Sequence, residues 1–357
     1  MDIVNGFSPP YVYLPLIGSK KLLIGPSLVN PDALNVYTDP KYWIRLTSRQ
    51  VLYIRKAGKG IFKPADPSRD INESSISRLR EISLYSGNVE VELEYVKSRS
   101  NIIFDPYEGV TLSGGELGRI IHYSGGVADR RIEKAYGDRD LLAKDAVLYL
   151  HNSGISVYKI QQLLSVGALG SKRKLVATRW SITAVDSMIS SKLIDEIKNY
   201  PELNEHYLGE SYAVGNRIIV MMFPGKFYYE MMESWGPFFG NRNPNVAMDY
   251  EGFLGRTNYA EEVEGAYYAA RYSVARHLQE IKRQAKIVVL LEVDRNWIPN
   301  LGVWRVREGT EIALKNLKKF EDENAMIDYA FSKTYTSKKS WLSSSFFLRQ
   351  KTLESFF

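Results

Sequence analysis

A chain of 357 residues has room for two domains or for one large domain with a substantial core. Its net charge of +6 is a mild basic bias, compatible with nucleic acid or another anionic surface. Hydrophobic residues at 45% and charged residues at 25% exclude wholesale disorder, and the complete lack of cysteine excludes disulfides, iron–sulfur clusters, thiolate zinc sites and cysteine nucleophiles.

The opening "MDIVNGFSPPYVYLP" has no basic segment followed by an apolar core, so no secretory signal is expected there. The first hundred or so residues read mainly as strands and turns. "YVYLPLIG" and "KLLIGPSLV" flank Gly18 and Ser19, and "QVLYIRK" runs into the turn Gly58-Lys59-Gly60. "NVEVELEYV" alternates, with Val89, Val91 and Leu93 on one face and Glu90, Glu92 and Glu94 on the other. A half-buried strand with a solvated acidic face is the plain reading of that pattern.

From Asp138 the period becomes helical. "DLLAKDAVLYLHNSG" predicts a helix stopped by Gly154, and "SVYKIQQLLSVG" a second one from Ser156 to Gly167. With Ile155 and Ile160 placed to pack between them, the pair reads either as a helix-turn-helix or as an ordinary helical hairpin. The cations Lys172, Arg173, Lys174 and Arg179 follow, and Arg130 and Arg131 precede; all six are candidates for the phosphate backbone of DNA. "HYSGGVADRR" and "SVGALGSKRK" only outline a phosphate loop, and no G-x-x-x-x-G-K-[ST] or G-x-G-x-x-G occurs, so these glycines are expected to make turns.

A further helix is predicted up to about Tyr200. In its "TRWSITAVD" run, Arg179, Thr183 and Asp186 would share one face and form an ion-pair network or line a site. "RIIVMMF" and "KFYYEMM" around Pro224-Gly225 read as a hairpin or tight loop, and "WGPFFGNRNPNVAMDYEG" as the domain boundary. A long helix capped by Asn258 should carry the stripe Val263, Tyr267, Ala270, Val274, Leu278 and Ile281. The strand "KIVVLLEV", the segment "LGVWRVRE" and a last helix through "EIALKNLKKFEDENAMIDYAF" complete a small α/β unit. In "LEVDR", Glu292 and Asp294 fall on one side of a strand end, the spacing of two carboxylates of a divalent-metal site for phosphodiester cleavage.

From Ser332, "SKTYTSKKSWLSSS" reads as a mobile linker. Beyond it Gln350, Leu353, Phe356 and Phe357 follow Q-x-x-(aliphatic)-x-x-(aromatic)-(aromatic), which closely resembles the PCNA-interacting peptide, the PIP box of sliding-clamp partners. One tight helical turn puts these positions on one side as an apolar plug, whereas the bland reading folds the two rings back onto the body.

Three internal stretches, "KLVATRWSITAVDSMIS", "DYEGFLGRTNYAEEVEGAYYAARYSVARHLQEIKRQAKIVVLLEV" and "LGVWRVREGTEIAL", together with the opening "SPPYVYLPLIGSKKLLIGPS", resemble the archaeal Nre family of DNA-repair proteins (NreA and NreB). The resemblance runs from about Ser8 to the tail. It implies a DNA-repair protein recruited to the sliding clamp PCNA; the basic residues add DNA as an expected partner, and other repair proteins stay open as further ones. It carries over no reaction and no catalytic residue. Many relatives have a cysteine-rich zinc segment near the N-terminus, and this chain has neither that segment nor any cysteine, so no zinc is expected.

The expected architecture is α+β: mixed strands and helices in a large N-terminal domain (residues 1–245), a smaller α/β C-terminal unit (246–331) and a flexible tail (332–357). No cofactor is evident, and magnesium or manganese enters only if the protein is an enzyme. No stretch approaches the roughly 20 apolar residues that span a bilayer, so a soluble, cytoplasmic, nucleoid-associated protein with no membrane partner is expected. Three functions stay open. They are a clamp-tethered factor that binds DNA, a metal-dependent nuclease or hydrolase delivered by the same tail (weak candidates Arg179, Asp186, Glu292 and Asp294), and a non-catalytic repair adaptor.

Overall fold

The computed structural model describes residues 1–9, 16–17, 21–33, 36–37, 39–105, 109–236, 245–294 and 302–349. The chain is α+β and divides into two compact units, the first built on Met1–Ile189 and the second on the chain from Ser190 onward.

The first unit holds β1 (Asp2–Ser8), β2 (Leu16–Ile17), β3 (Lys21–Ile24), β4 (Ser27–Leu28), β5 (Lys59–Ala65), β6 (Tyr85–Asp105) and β7 (Gly109–Ala128) in one sheet. Their order is β1-β6-β7-β5-β3-β2, with β4 paired to β5. The long antiparallel pair β6–β7 is its backbone. Val89, Val91 and Leu93 are buried while Glu90, Glu92 and Glu94 line the other face, and Glu94 pairs with Arg119 across the ladder, so the alternation holds.

"QVLYIRK" is not a strand. It lies in α1 (Ser48–Ala57), because Thr47 and Gln50 form a reciprocal capping box at its start. The Gln50 amide donates to Thr47 Oγ1 at 3.3 Å and the Thr47 amide to Gln50 Oε1 at 2.8 Å. Two otherwise orphaned donors are thereby satisfied, which outweighs the β-propensity of Val51, Tyr53 and Ile54. A second helix within the supposed strand region, α2 (Ser74–Ile82), buries Ile76, Leu79 and Ile82 at helical spacing. Next come α3 (Arg130–Gly137), α4 (Ala143–Asn152), α5 (Val157–Ser165) and α6 (Thr178–Ile197), the last of which begins in the first unit and ends in the second.

The second unit is a six-stranded sheet of β8 (His206–Ala213), β9 (Asn216–Phe223), β10 (Tyr228–Ser234), β11 (Val246–Glu251), β12 (Lys286–Val293) and β13 (Lys318–Phe320). Their order is β11-β10-β12-β9-β8-β13. The expected hairpin of β9 and β10 does not form: β12 inserts between them, antiparallel to β9 and parallel to β10. β12 buries every residue from Ile287 to Val293, and a strand apolar on both faces belongs at the centre of a sheet. The Gly/Pro/Asn-rich stretch read as a domain boundary joins β10 to β11, which pair antiparallel from Ser234 opposite Val246. The boundary between the two compact units accordingly falls at Ser190 and not near residue 245.

The helix expected from Asn258 is α7 (Gly265–Ile281), with Glu264 as its N-cap residue. Tyr267, Ala270, Val274 and Leu278 are buried as the stripe predicts, and Ile281 is exposed. The single last helix is in fact α8 (Trp304–Lys315), the short strand β13 and α9 (Glu323–Ser332), and "LGVWRVRE" opens α8. Gly209 on β8 lets α8 lie against the sheet, since a Cβ there would run into the Ala313 carbonyl.

The mobile linker is also corrected. Residues 333–349 are a strap packed on the second sheet and containing α10 (Lys338–Ser344). Trp341, Phe347 and Leu348 are buried in the cluster that includes Phe223, Met232 and Leu290. Two buried carboxylates staple it down. Glu230 on β10 accepts the amides of Phe346 and Phe347, each at 3.0 Å, and the Ser345 hydroxyl. Glu292 on β12 accepts the amides of Tyr335 at 3.0 Å and Thr336 at 2.7 Å. Composition misread this segment because its serines cap and bond locally while its aromatics face the sheet.

Candidate nucleic-acid interface

The basic residues singled out in the sequence all lie in the first unit, where some are tied into the frame and others are exposed. Asp129 caps α3 by accepting the Arg131 amide at 2.9 Å. The Arg131 guanidinium turns back onto the same carboxylate and also donates to the Ser153 carbonyl just past α4, tying the two helices together. That guanidinium pulls the Asp129 carboxyl down to about 2. Arg130 points outward on the exposed side of α3.

Arg173 joins the 170–174 loop to α3. It donates to the Gly170 carbonyl at 3.2 Å and to the Tyr136 carbonyl, and its guanidinium lies 4.6 Å from the Tyr136 ring centroid. Burial and the neighbouring Arg139 push its pKa down. The loop is held close enough to α4 that a Cβ on Gly170, at φ +93°, would meet Ala143. Lys172 and Lys174, flanking Arg173, are exposed. The structure therefore brings α3 and the 170–174 loop together, leaving Arg130, Lys172 and Lys174 presented to solvent and spending Arg131 and Arg173 on holding the frame. Arg139, in the turn between α3 and α4, and Lys144, on α4, which the sequence reading passed over, are exposed as well. Arg179, in the first turn of α6, sits 5.1 Å from the half-exposed Trp180 ring.

The helix-turn-helix reading fails. α4 and α5 do turn at Gly154, with φ +81°, and Ile155 and Ile160 are buried between them. The second helix, however, also buries Val157, Gln161, Gln162, Leu163, Leu164 and Ser165, so it has no polar face to lay in a DNA groove. Its one lysine, Lys159, donates its ammonium to the Ser83 and Tyr85 carbonyls beyond the end of α2, and burial pushes its pKa down to about 7. Gly167 and Gly170 take positive φ in turns, as expected, whereas Gly125 and Gly126 take it inside the β6–β7 ladder and make no turn.

The carboxylate candidates are structural in their surroundings. Asp186 is fully buried and accepts the Gln161 side-chain amide at 3.3 Å, bracing α6 against α5, while Thr183 bonds back to the Arg179 carbonyl at 3.1 Å. Glu292 holds the strap, and Asp294 accepts the Tyr212 hydroxyl at 2.7 Å. Glu292 and Asp294, the weak candidates for a divalent-metal site, thus each make a separate structural bond. Among the described residues no group of three or more His, Cys, Asp or Glu is placed to hold a metal ion. Nor is any helix among them long and apolar enough to cross a membrane. The tail residues Gln350, Leu353, Phe356 and Phe357 lie outside the described residues. Sequence reasoning missed Glu230 altogether, although a lone glutamate in the apolar run "YYEMM" was a legible sign of a buried polar anchor.

A two-unit α+β chain whose first unit exposes Arg130, Lys172 and Lys174 matches two family models, archaeal Nre N-terminal over residues 1–238 and archaeal Nre C-terminal over residues 251–356. The chain belongs to the archaeal Nre family. It is 36% identical over 315 residues to "DNA repair protein NreB" of Archaeoglobus fulgidus, covering 85% of this chain and 78% of the relative. It is 30% identical to "DNA repair protein NreA" of the same organism, covering 98% of this chain and 89% of the relative. To "DNA repair protein NreA" of Haloferax volcanii it is 38% identical over 191 residues, 52% of this chain and 46% of that one. No solved structure matches the chain. The first family segment ends at residue 238 and the second begins at 251, whereas the two compact units divide between Ile189 and Ser190, within α6.

Proposed function

We propose that this chain is a DNA-repair protein that docks on the replication sliding clamp through Gln350, Leu353, Phe356 and Phe357 and contacts DNA through the basic face of α3 and the 170–174 loop. Relatives named as DNA repair proteins support the first part. The complete spacing of "QKTLESFF" is the observation that carries the second. The anchored strap adds to it. Leu348 is buried two residues before Gln350, so a partner that takes Phe356 and Phe357 is kept within about 30 Å of the second unit at full extension, about nine residues away. A short tether of this kind raises the effective concentration of the body at its partner without adding a contact.

Calorimetry with the full chain and a sliding clamp tests the docking: the double variant Phe356→Ala, Phe357→Ala should abolish binding, and unchanged binding would overturn the assignment. The DNA contact is tested by its salt dependence. Lys172→Glu with Lys174→Glu should weaken duplex binding and reduce the slope of log K against log salt by about 1.8, at about 0.9 per phosphate contact. If the clamp binds and no DNA does, the chain is an adaptor. Metal-dependent product from a DNA substrate would make it an enzyme.

A further inference from the structure

A second surface, remote in sequence from the basic face of the first unit, alternates exposed rings with lysines. It lies on the second unit at the end where β10 and β12 begin. Phe253, 40% exposed, has the ammonium of Lys198 at 5.5 Å and that of Lys226 at 5.8 Å from its ring centroid. Lys226 follows Gly225, against which the side chain of Lys286 lies. The Lys286 ammonium is in turn 5.3 Å from the Phe347 ring centroid. Tyr228 sits between Phe347 at 5.5 Å and Tyr250 at 6.1 Å. Tyr250 stacks on Phe346 with centroids 4.9 Å apart and planes within 5°. Tyr250 and Phe346 are 41% and 39% exposed, and Leu254, at the tip beside Phe253, is 98% exposed.

These contacts form one continuous chain from Lys198 to Phe346. Three carboxylates of β10 and β11 are committed elsewhere. Glu230 holds the strap, Glu251 is paired with Arg271, and Asp249 is paired with Arg256. The surface is therefore basic and aromatic at once. An exposed array of this size marks an interaction site. Rings interleaved with lysines match a ligand that offers a flat face and a negative charge at each repeat, which is single-stranded nucleic acid. A duplex hides its base faces and would use the lysines alone.

We propose that this surface is a platform for single-stranded DNA, on which bases stack against Phe346 and Phe253 while Lys226 and Lys286 take the phosphates. The choice of DNA rests on the DNA-repair reading. None of these residues belongs to the clamp motif or to the basic face of the first unit.

The test is fluorescence anisotropy of the full chain with a labelled oligo-dT, an abasic strand of equal length, a duplex and an oligo-rU. The wild-type chain should bind oligo-dT more tightly than the abasic strand. Phe253→Ala and Phe346→Ala should each weaken oligo-dT binding about 5- to 150-fold and leave the abasic strand unaffected. Phe346→Tyr, which keeps the ring and the strap, should restore it. Lys226→Glu should weaken both strands and flatten the salt dependence. Equal affinity for oligo-dT and the abasic strand, or indifference to both ring deletions, would overturn the proposal. Oligo-rU bound more than tenfold tighter than oligo-dT would overturn the choice of DNA. The clamp variant Phe356→Ala, Phe357→Ala and the Lys172→Glu, Lys174→Glu variant should leave the dT-to-abasic difference intact, so failure here is separable from failure of the proposed function.

Discussion

Glu230→Ala isolates what holds the strap. The wild-type carboxylate is fully buried on β10 and accepts the amides of Phe346 and Phe347 at 3.0 Å, the Tyr228 hydroxyl at 2.8 Å and the Ser345 hydroxyl. Deleting it leaves two backbone donors without acceptors, each worth about 1–3 kcal/mol when left unsatisfied, hence about 2–6 kcal/mol against the docked strap. The opening equilibrium of residues 345–348 should rise by a factor of about 30 to more than 10⁴. Native-state hydrogen exchange at the Phe346 and Phe347 amides reads this directly, and tryptic cleavage after the exposed Arg349 should accelerate in parallel. Glu230→Gln should fall between, because its amide oxygen still accepts but without the charge that strengthens these bonds. If the two amides exchange as fast in the wild type as in Glu230→Ala, the strap is not held by this carboxylate and the reasoning fails.

Other outcomes follow from the same packing. Gly209→Ala drives a methyl into the Ala313 carbonyl and should cost at least about 1–3 kcal/mol by denaturant unfolding, whereas Ala at Gly137, which has open space around it, should cost far less. Trp341→Ala empties a fully buried site and should cost about 3–5 kcal/mol with an unchanged m-value. Burial lowers the Lys159 pKa to about 7, below its unfolded value, so between pH 7 and about 10 the unfolded chain binds more protons than the folded one. Stability should therefore rise with pH across that window, by up to about 1.4 kcal/mol per pH unit, and Lys159→Met should remove the slope in thermal melts.

Much of this molecule was legible before any contact was known. The alternation of Val89, Val91 and Leu93 against three glutamates, the apolar run of β12 and the stripe of α7 all report which atoms leave water, and that is a local property of the pattern. The α+β class and the family followed from such segments. The failures have two causes, one local and the other tertiary. "QVLYIRK" became a helix because a capping bond at Thr47 decided it, and α5 lost its recognition role because tertiary neighbours bury seven of its nine residues. The roles of Arg131 and Arg173 depend on carbonyls 22 and 37 residues away, which no spacing rule reaches.

The amino-acid sequence by itself determined the family, the class of fold, the buried faces of β6 and α7 and the pattern of the tail, since each of these is written in hydrophobic period or in motif spacing. Only the tertiary structure decided that β12 divides β9 from β10, that residues 333–349 are a strap and not a linker, and that Glu292 holds backbone amides. A carboxylate at a strand end satisfies amides as readily as it ligates a cation. Which of the two it does depends on the groups that the fold brings within about 3 Å, and those lie far away in sequence.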